Sequence, residues 1–516
     1  MLDSKRPRKS LTSALALVAA GVFSLSLIAE SSAQRGFGGG GFGGRAMGTP
    51  GNIGGGRMPG GDGPRHPGGM GPRGPGGIIM LPPGGFGPGP AGPGTVVVED
   101  GDDAPPRRHK TKQAKKQKQH KAPKQIAQRG GFNVPPPGEQ RFVPNEVLLN
   151  IAAGTSAPAL SALTRRHRLT QLESRDFTLP PRRLARLRID DGRPVATVIR
   201  SLQQEASILA AQPNYYFSLE QGSSAAAVAD PIQYAVSKMR LPEAHALVKG
   251  NNIRVAVIDT TIDAQHPDLV GTVAATFDAI GRPDKPHFHG TGIAGVIAAH
   301  GKLMGVAPSV KVLAIAAFTS LGSKGSSMAI LTGLEYAGTS NADVINMSFA
   351  GPADPEMQLK ITALRQKGAV LVAAAGNAGP QSRPLYPAAY PDVIAVTATD
   401  ADDRLFDKAN RGTHIAVAAP GVAILAAAPG ESYQMQSGTS FSAAQVSGIA
   451  ALLLERNRQL DPVAIRRILT STARDLGPAG HDDQFGAGLV DAFGAVSSAA
   501  PRTSDVSASP ATAPAN

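Results

Sequence analysis

The sequence predicts an α/β protein, a parallel sheet with helices on both faces, preceded by a small α+β unit and a long disordered leader. Two patterns within residues 230–498 carry this prediction. Six strand candidates, Ile253–Asp259, Val310–Phe318, Asp343–Phe349, Ala369–Ala375, Val393–Thr399 and His414–Ala419, are mostly short, continuous apolar runs. Runs of that kind mark strands buried on both faces. Helical patterns lie between or after them, at Thr291–His300, Ser326–Thr339, Pro355–Lys367, Phe441–Asn457 and Pro462–Asp475. Strand, helix, strand in succession requires parallel pairing, with the helices crossing over the sheet faces.

The chain of 516 residues is uneven before that region. Lys5, Arg6, Arg8 and Lys9 precede an apolar run from Leu11 to Ile28 and the small residues Ser31-Ser32-Ala33, so residues 1–33 are expected to be a secretory signal peptide. The protein is then secreted, or held in the periplasm or cell envelope. Residues 34–141 form the leader. Its first part, residues 35–95, contains 27 Gly and 11 Pro without a three-residue period, and cannot bury enough apolar surface to offset its chain entropy. Of the formal charge of +13, a net +10 falls in residues 35–141, mostly between Arg107 and Arg129, and +1 remains for residues 142–516. No aromatic residues are interleaved with the basic run, so specific nucleic-acid binding is not expected. Weak adhesion of the leader to anionic surfaces is.

Residues 142–218 read as the α+β unit. Strands are expected at Glu146–Ile151, Leu184–Ile189 and Tyr215–Leu219, and helices at Pro158–Arg168 and Pro194–Ala211, the second with Val195, Val198, Ile199 and Leu202 on one stripe. Residues 219–229 are an exposed linker and 499–516 a disordered tail. The absence of Cys excludes disulfide scaffolds, thiolate metal sites and a cysteine nucleophile.

Ligands of a parallel sheet bind beyond the carboxyl ends of its strands. Asp259 ends the first apolar strand, His289 lies in a loop entering a small-residue helix, and Ser440 immediately precedes another helix. Taken singly, each has a commoner reading as a turn, loop or cap residue. Together, in the order Asp, His, Ser, they match one of the known orders of the nucleophilic triad. Asn377 follows the strand Ala369–Ala375 within Gly376-Asn-Ala-Gly379, where a side-chain amide can donate to an oxyanion.

Four segments in order resemble the subtilase family of subtilisin-like serine peptidases: Val255-Ala-Val-Ile-Asp259 through Asp268-Leu269, His289-Gly-Thr-Gly-Ile-Ala-Gly295, Ala373-Ala-Ala-Gly-Asn377 and Gly438-Thr-Ser440. The resemblance covers residues 250–497. It implies a secreted serine endopeptidase with Asp259, His289 and Ser440 as catalytic residues, Asn377 as oxyanion donor, and polypeptide substrates. Substrate backbone is expected to add as a strand along Ser348, Phe349, Ala350 and Gly351, with an apolar or broad preference before the cut. The unit at 142–218 is similar to the inhibitory prodomains of that family, which makes it a partner of the peptidase and a target of self-processing. No cofactor is implied. Asp268 matches a calcium ligand of many relatives, but the loop between Ala299 and Gly305 is short and poor in oxygen side chains, so no metal is expected there. His287 and His289, two apart, lack a third ligand at metal-site spacing.

The sequence departs from the family pattern in several places. Thr261 stands where Gly is usual, Gly292 replaces a second His, and Ser442 and Ala444 follow the serine where a small residue and Pro are usual. None of these changes deletes a reacting group. The alternative reading is a catalytically silent, subtilase-like envelope binding or adhesion protein, which would not need the full set Asp259, His289, Asn377 and Ser440.

Overall fold

A computed structural model describes residues 131–220, 233–282 and 284–500. The expected signal peptide, most of the leader, residues 221–232 of the junction and the tail beyond residue 500 lie outside the described residues.

The N-terminal part runs β1 (Phe142–Ile151), α1 (Ala157–Arg166), β2 (Leu169–Thr178), β3 (Pro181–Ile189), α2 (Val195–Leu202) and β4 (Ile208–Leu219). The strands pair antiparallel in the order β4-β1-β3-β2. Beneath them Val147, Leu149, Leu187, Val198, Ile199 and Leu202 form one buried core. Each such side chain contributes about 1.5–3 kcal/mol by leaving water. The unit begins earlier than its sequence limit of 142, because Phe132 bridges to Ala211 and the Asn133 amide donates to the Tyr215 hydroxyl. It also runs past 218. The helix expected to reach Ala211 stops at Leu202, and Ile208–Ala211 pair with β1 instead. Pro213 could not have continued a helix, and pairing with β1 overrides the helix-forming Gln203-Gln-Glu-Ala206.

The rest comprises α3 (Tyr234–Lys238), α4 (Leu241–His245), β5 (Arg254–Asp259), β6 (Val273–Asp278), α5 (Phe288–Ala298), β7 (Lys311–Ala316), β8 (Lys324–Ser326), α6 (Ser327–Thr339), β9 (Val344–Met347), β10 (Phe349–Ala350), α7 (Pro355–Gln366), β11 (Val370–Ala374), β12 (Ile394–Thr399), β13 (Ile415–Pro420), β14 (Ile424–Ala428), β15 (Ser432–Gln436), α8 (Thr439–Arg456), α9 (Pro462–Ser471) and α10 (Ala492–Ser498). Seven strands form a parallel sheet in the order β13-β12-β11-β9-β5-β7-β6. The edge strand β6 adds to the six that the sequence predicted. Alternate residues of one strand feed opposite layers, as a pleated strand requires. Val255 and Val257 join α5 and α8, whereas Ala256 and Ile258 join α6 and α7. The sheet is therefore covered on both faces, which is the expected fold class. Among the described residues no helix is long and apolar enough to cross a membrane.

Candidate active site

Asp259 ends β5 and is fully buried. Its Oδ1 accepts from the Thr260 amide (2.7 Å) and hydroxyl (3.1 Å), and His289 Nδ1 lies 2.8 and 2.9 Å from the two carboxylate oxygens. A carboxylate only accepts, so Nδ1 carries the hydrogen and Nε2 is left as the ring's acceptor. Nε2 is buried and has no partner among the described residues. His289 sits in the first turn of α5. The helix is capped by His287, whose Nδ1 accepts from the His289 amide (3.3 Å), which uses that nitrogen for folding rather than for a metal. The Thr260 hydroxyl also accepts from the Gly290 amide (3.0 Å), tying the start of α5 to the carboxylate it serves. The sequence reading missed Thr260. Thr261, in the usual Gly position, has no positive φ, so its branched side chain fits the turn without strain.

Ser440 lies in the first turn of α8, entered through Gly438 at φ +151°. A side chain would disfavour that conformation. One residue before the serine, the Thr439 amide and hydroxyl both donate to Asn377 Oδ1, at 3.1 and 2.9 Å. This fixes the amide orientation and leaves Asn377 Nδ2 buried, with no partner among the described residues. An orphaned buried donor costs about 1–3 kcal/mol, and such groups call for an explanation. A second brace was also missed by the sequence reading. Asn346 donates to the Ser348 hydroxyl (2.8 Å), which donates to the Ser440 carbonyl (3.0 Å), and Ser447 of α8 donates to Asn346 Oδ1 (3.0 Å). Its signal was a polar residue inside the otherwise apolar run Val344-Ile-Asn-Met.

The structure thus brings Asp259 to His289 and Asn377 to the turn that carries Ser440, and the His289 ring packs edge-on against Phe441 with centroids 5.9 Å apart. It does not join Ser440 to His289 by a hydrogen bond. The Ser440 hydroxyl instead lies 3.0 Å from the Ser348 carbonyl and 2.5 Å from the carbonyl of Glu220, to both of which it can donate. The chain's own residues 216–220 lie in the cleft and take up that hydroxyl.

Those residues form the end of β4, threaded between two short strands. Tyr216, Phe217 and Ser218 pair with Ser326, Gly325 and Lys324 of β8, and Ser218 and Leu219 pair antiparallel with Ala350 and Phe349 of β10. The Glu220 amide donates to the Ser348 carbonyl (3.3 Å). Of the expected strand-accepting segment, Ser348, Phe349 and Ala350 receive this strand. Gly351 leaves room for the Phe217 ring, which a methyl group there would overlap, and Phe217 also packs edge-on against Phe349 (6.0 Å). Residues 219 and 220 are accordingly not linker, because their backbone is paired within the cleft. The Glu220 carboxylate accepts from the Asn377 amide (2.5 Å), and burial pushes its pKa up to about 7 against the opposing pull of that amide and of His289.

A calcium ion does not fit at Asp268. Its two oxygens accept from the Lys302 (2.7 Å) and Leu303 (3.0 Å) amides of the short loop, and the loop's donors stand where a cation would need oxygens. Among the described residues no group of three or more His, Cys, Asp or Glu could hold a metal.

A model of the subtilase family matches residues 250–488. The chain is 36% identical over 275 residues to subtilisin of Bacillus pumilus, covering 51% of this chain and 98% of that protein. It is 35% identical over 285 residues to subtilisin E of Bacillus subtilis (53% and 73%), and 34% identical over 272 residues to thermitase of Thermoactinomyces vulgaris (51% and 95%). Among solved structures, fervidolysin of Fervidobacterium pennivorans, described as a keratinolytic enzyme related to subtilisin, shares the fold with a TM-score of 0.59 at 24% identity, over 69% of this chain and 61% of that one.

Proposed function

The chain belongs to the subtilase family and is a serine-type endopeptidase, and from that premise we propose that Asp259, His289 and Ser440 are its catalytic triad and that it processes its own N-terminal unit. His289 Nε2 takes the proton of Ser440 as Oγ attacks the scissile carbonyl, then delivers it to the leaving amine. Asp259 holds Nδ1–H and stabilises the imidazolium. Asn377 Nδ2 and the Ser440 amide receive the oxyanion at the positive end of α8. No cofactor takes part. Substrates are polypeptides, laid antiparallel along Ser348–Gly351.

The observation that carries this reading is the course of residues 216–220. A strand of the protein itself pairs with the cleft and brings a peptide carbonyl to the Ser440 hydroxyl at 2.5 Å. Two groups without a partner among the described residues, His289 Nε2 and Asn377 Nδ2, are the acceptor and the donor that acyl transfer needs. The unit of residues 131–220 then acts as a prodomain that occupies the site until it is removed, and the apolar stretch of residues 1–33 directs export to the envelope or medium.

Labelling with a fluorophosphonate, wild type beside Ser440→Ala, tests the triad. Label on the wild type alone is expected, together with unprocessed precursor in the variant. A wild type that takes no label once processed would instead favour a silent binding protein.

A further inference from the structure

Resting on the reading of Ser440 as nucleophile, we propose that the bond cut in self-processing is Glu220–Gln221, and that the pocket before the cut accepts glutamate or glutamine in preference to a cationic side chain. The register fixes the bond. Ser218 and Leu219 are paired to β10, the Glu220 amide is paired to the Ser348 carbonyl, and the next carbonyl along, that of Glu220, is the one at Ser440 Oγ. Among the described residues no other backbone carbonyl of residues 216–220 is hydrogen-bonded to that hydroxyl.

The side chain supports the second part. Glu220 is 8% exposed, and its Oε2 accepts from the Asn377 amide. Among the described residues no Lys or Arg is paired with it. The one titratable group that acts on it among the described residues is the imidazole of His289, across the site. A buried carboxyl offered a neutral N–H and no fixed cation is best held uncharged, and the amide of glutamine has the same shape and offers the same acceptor. A lysine there would bury an ammonium that has nothing to pair with. Phe349, in the segment expected to go with an apolar or broad preference, packs its ring on Phe217, three residues before Glu220.

The step balances as follows. The Ser440 Oγ–H proton moves to His289 Nε2 while Oγ bonds to the Glu220 carbonyl carbon. The C–N bond to Gln221 then breaks, and its nitrogen takes the proton from His289. Water releases Glu220 as a free carboxylate and restores Ser440.

The test uses the full chain and its Glu220→Gln and Glu220→Lys variants, with intact-mass and peptide mapping of both fragments beside fluorophosphonate labelling. Wild type and Glu220→Gln are expected to give a fragment ending at residue 220 and one beginning at Gln221, free or cyclised. Glu220→Lys should be cut there about a hundredfold more slowly, a desolvation effect of the size that buried unpaired charges impose. A second readout compares the processed enzyme on peptides ending Phe-Ser-Leu-Glu, -Gln or -Lys before the cut, with the Lys peptide about a hundredfold poorer in kcat/KM. Label on Ser440 with cleavage at another bond, or equal rates for Lys, overturns the inference while leaving the triad standing. The absence of both label and cleavage removes the triad and the inference with it.

Discussion

The peptidase body and the contact it makes with residues 131–220 are built on different principles. Within the body both faces of the parallel sheet are apolar, and its helices bury side chains that have no favourable place in water. The contact with the N-terminal unit combines apolar side chains such as Phe177, Tyr215 and Leu219 with a row of polar caps. Asn214 accepts from the Met328 amide in the first turn of α6. Gln212 accepts from the Glu356 amide of α7 and donates to its N-cap, Asp354 (2.8 Å). Arg182 pairs with Glu356, and the Lys360 ammonium, paired with Glu335, lies 4.5 Å from the Phe177 ring centre. Helix N-terminal amides can be satisfied by water as well as by an amide oxygen. The body's interior has no such substitute, so the proposed separation would cost these caps less than opening would cost the body.

The comparison fails at once if separation does not depend on chemistry in the body. Ser440→Ala is expected to lower kcat by on the order of 10⁶, the scale found for the nucleophile in subtilisin itself, and to leave the two parts joined. Precursor accumulation on gels and residual hydrolysis of a peptide substrate measure it. Next comes Asn377→Ala, which removes one oxyanion donor. About 10²–10³ in kcat is expected, again the magnitude known from subtilisin, with KM little changed. A change in KM alone would assign Asn377 to ground-state binding.

A pH series sharpens the contrast further. The Glu220 carboxyl titrates near 4.5 when free and is pushed up to about 7 in the cleft by burial. A group raised in this way adds its full stabilisation below about 4.5 and loses it as pH rises through about 7, each unit between costing roughly tenfold. Retention of the cleaved N-terminal unit should therefore weaken by on the order of 10² from pH 5 to pH 8, as read from the gain of activity on dilution. Glu220→Gln should flatten this dependence, because the amide does not titrate. The same slope in that variant would place the pH sensitivity at another group.

These differences also decide what the sequence could reveal. The body's strands were legible because burial on both faces forces continuous apolar runs; the sequence singled out Asp259 at a strand end, His289 and Ser440 at helix starts, and Asn377 in a glycine-rich turn after a strand. The N-terminal unit was less legible. In β2, Leu169-Thr-Gln-Leu-Glu-Ser-Arg-Asp-Phe-Thr178, only Leu169 and Phe177 are buried, so no strand pattern stands out. β8 and β10 have three and two residues, too few to show a period. The end of β4 is held by partners over a hundred residues away, and such pairing leaves no local trace. Thr260 was hidden for a related reason, since a hydroxyl that braces Asp259 looks in sequence like any threonine after a strand.

Gln212→Ala should give the smallest effect and the most selective one. It removes an acceptor from the Glu356 amide and a donor to Asp354, whose carboxylate is fully buried and keeps the Ser327 hydroxyl (2.5 Å) and Met357 amide (3.0 Å) as partners. Because both remaining donors belong to the body, α7 keeps its cap and the body should keep its melting temperature. Only the contact loses, by about 2 kcal/mol for a buried hydrogen bond to a charged group, or roughly thirtyfold faster release of the N-terminal unit after processing. Asp268→Ala is the converse control: it strips the Lys302 and Leu303 amides of their acceptor within the body, so the melting temperature should fall while release is unchanged. If Gln212→Ala left release unchanged, or Asp268→Ala hastened it, the two regions would be one cooperative unit and the division drawn between them would be wrong.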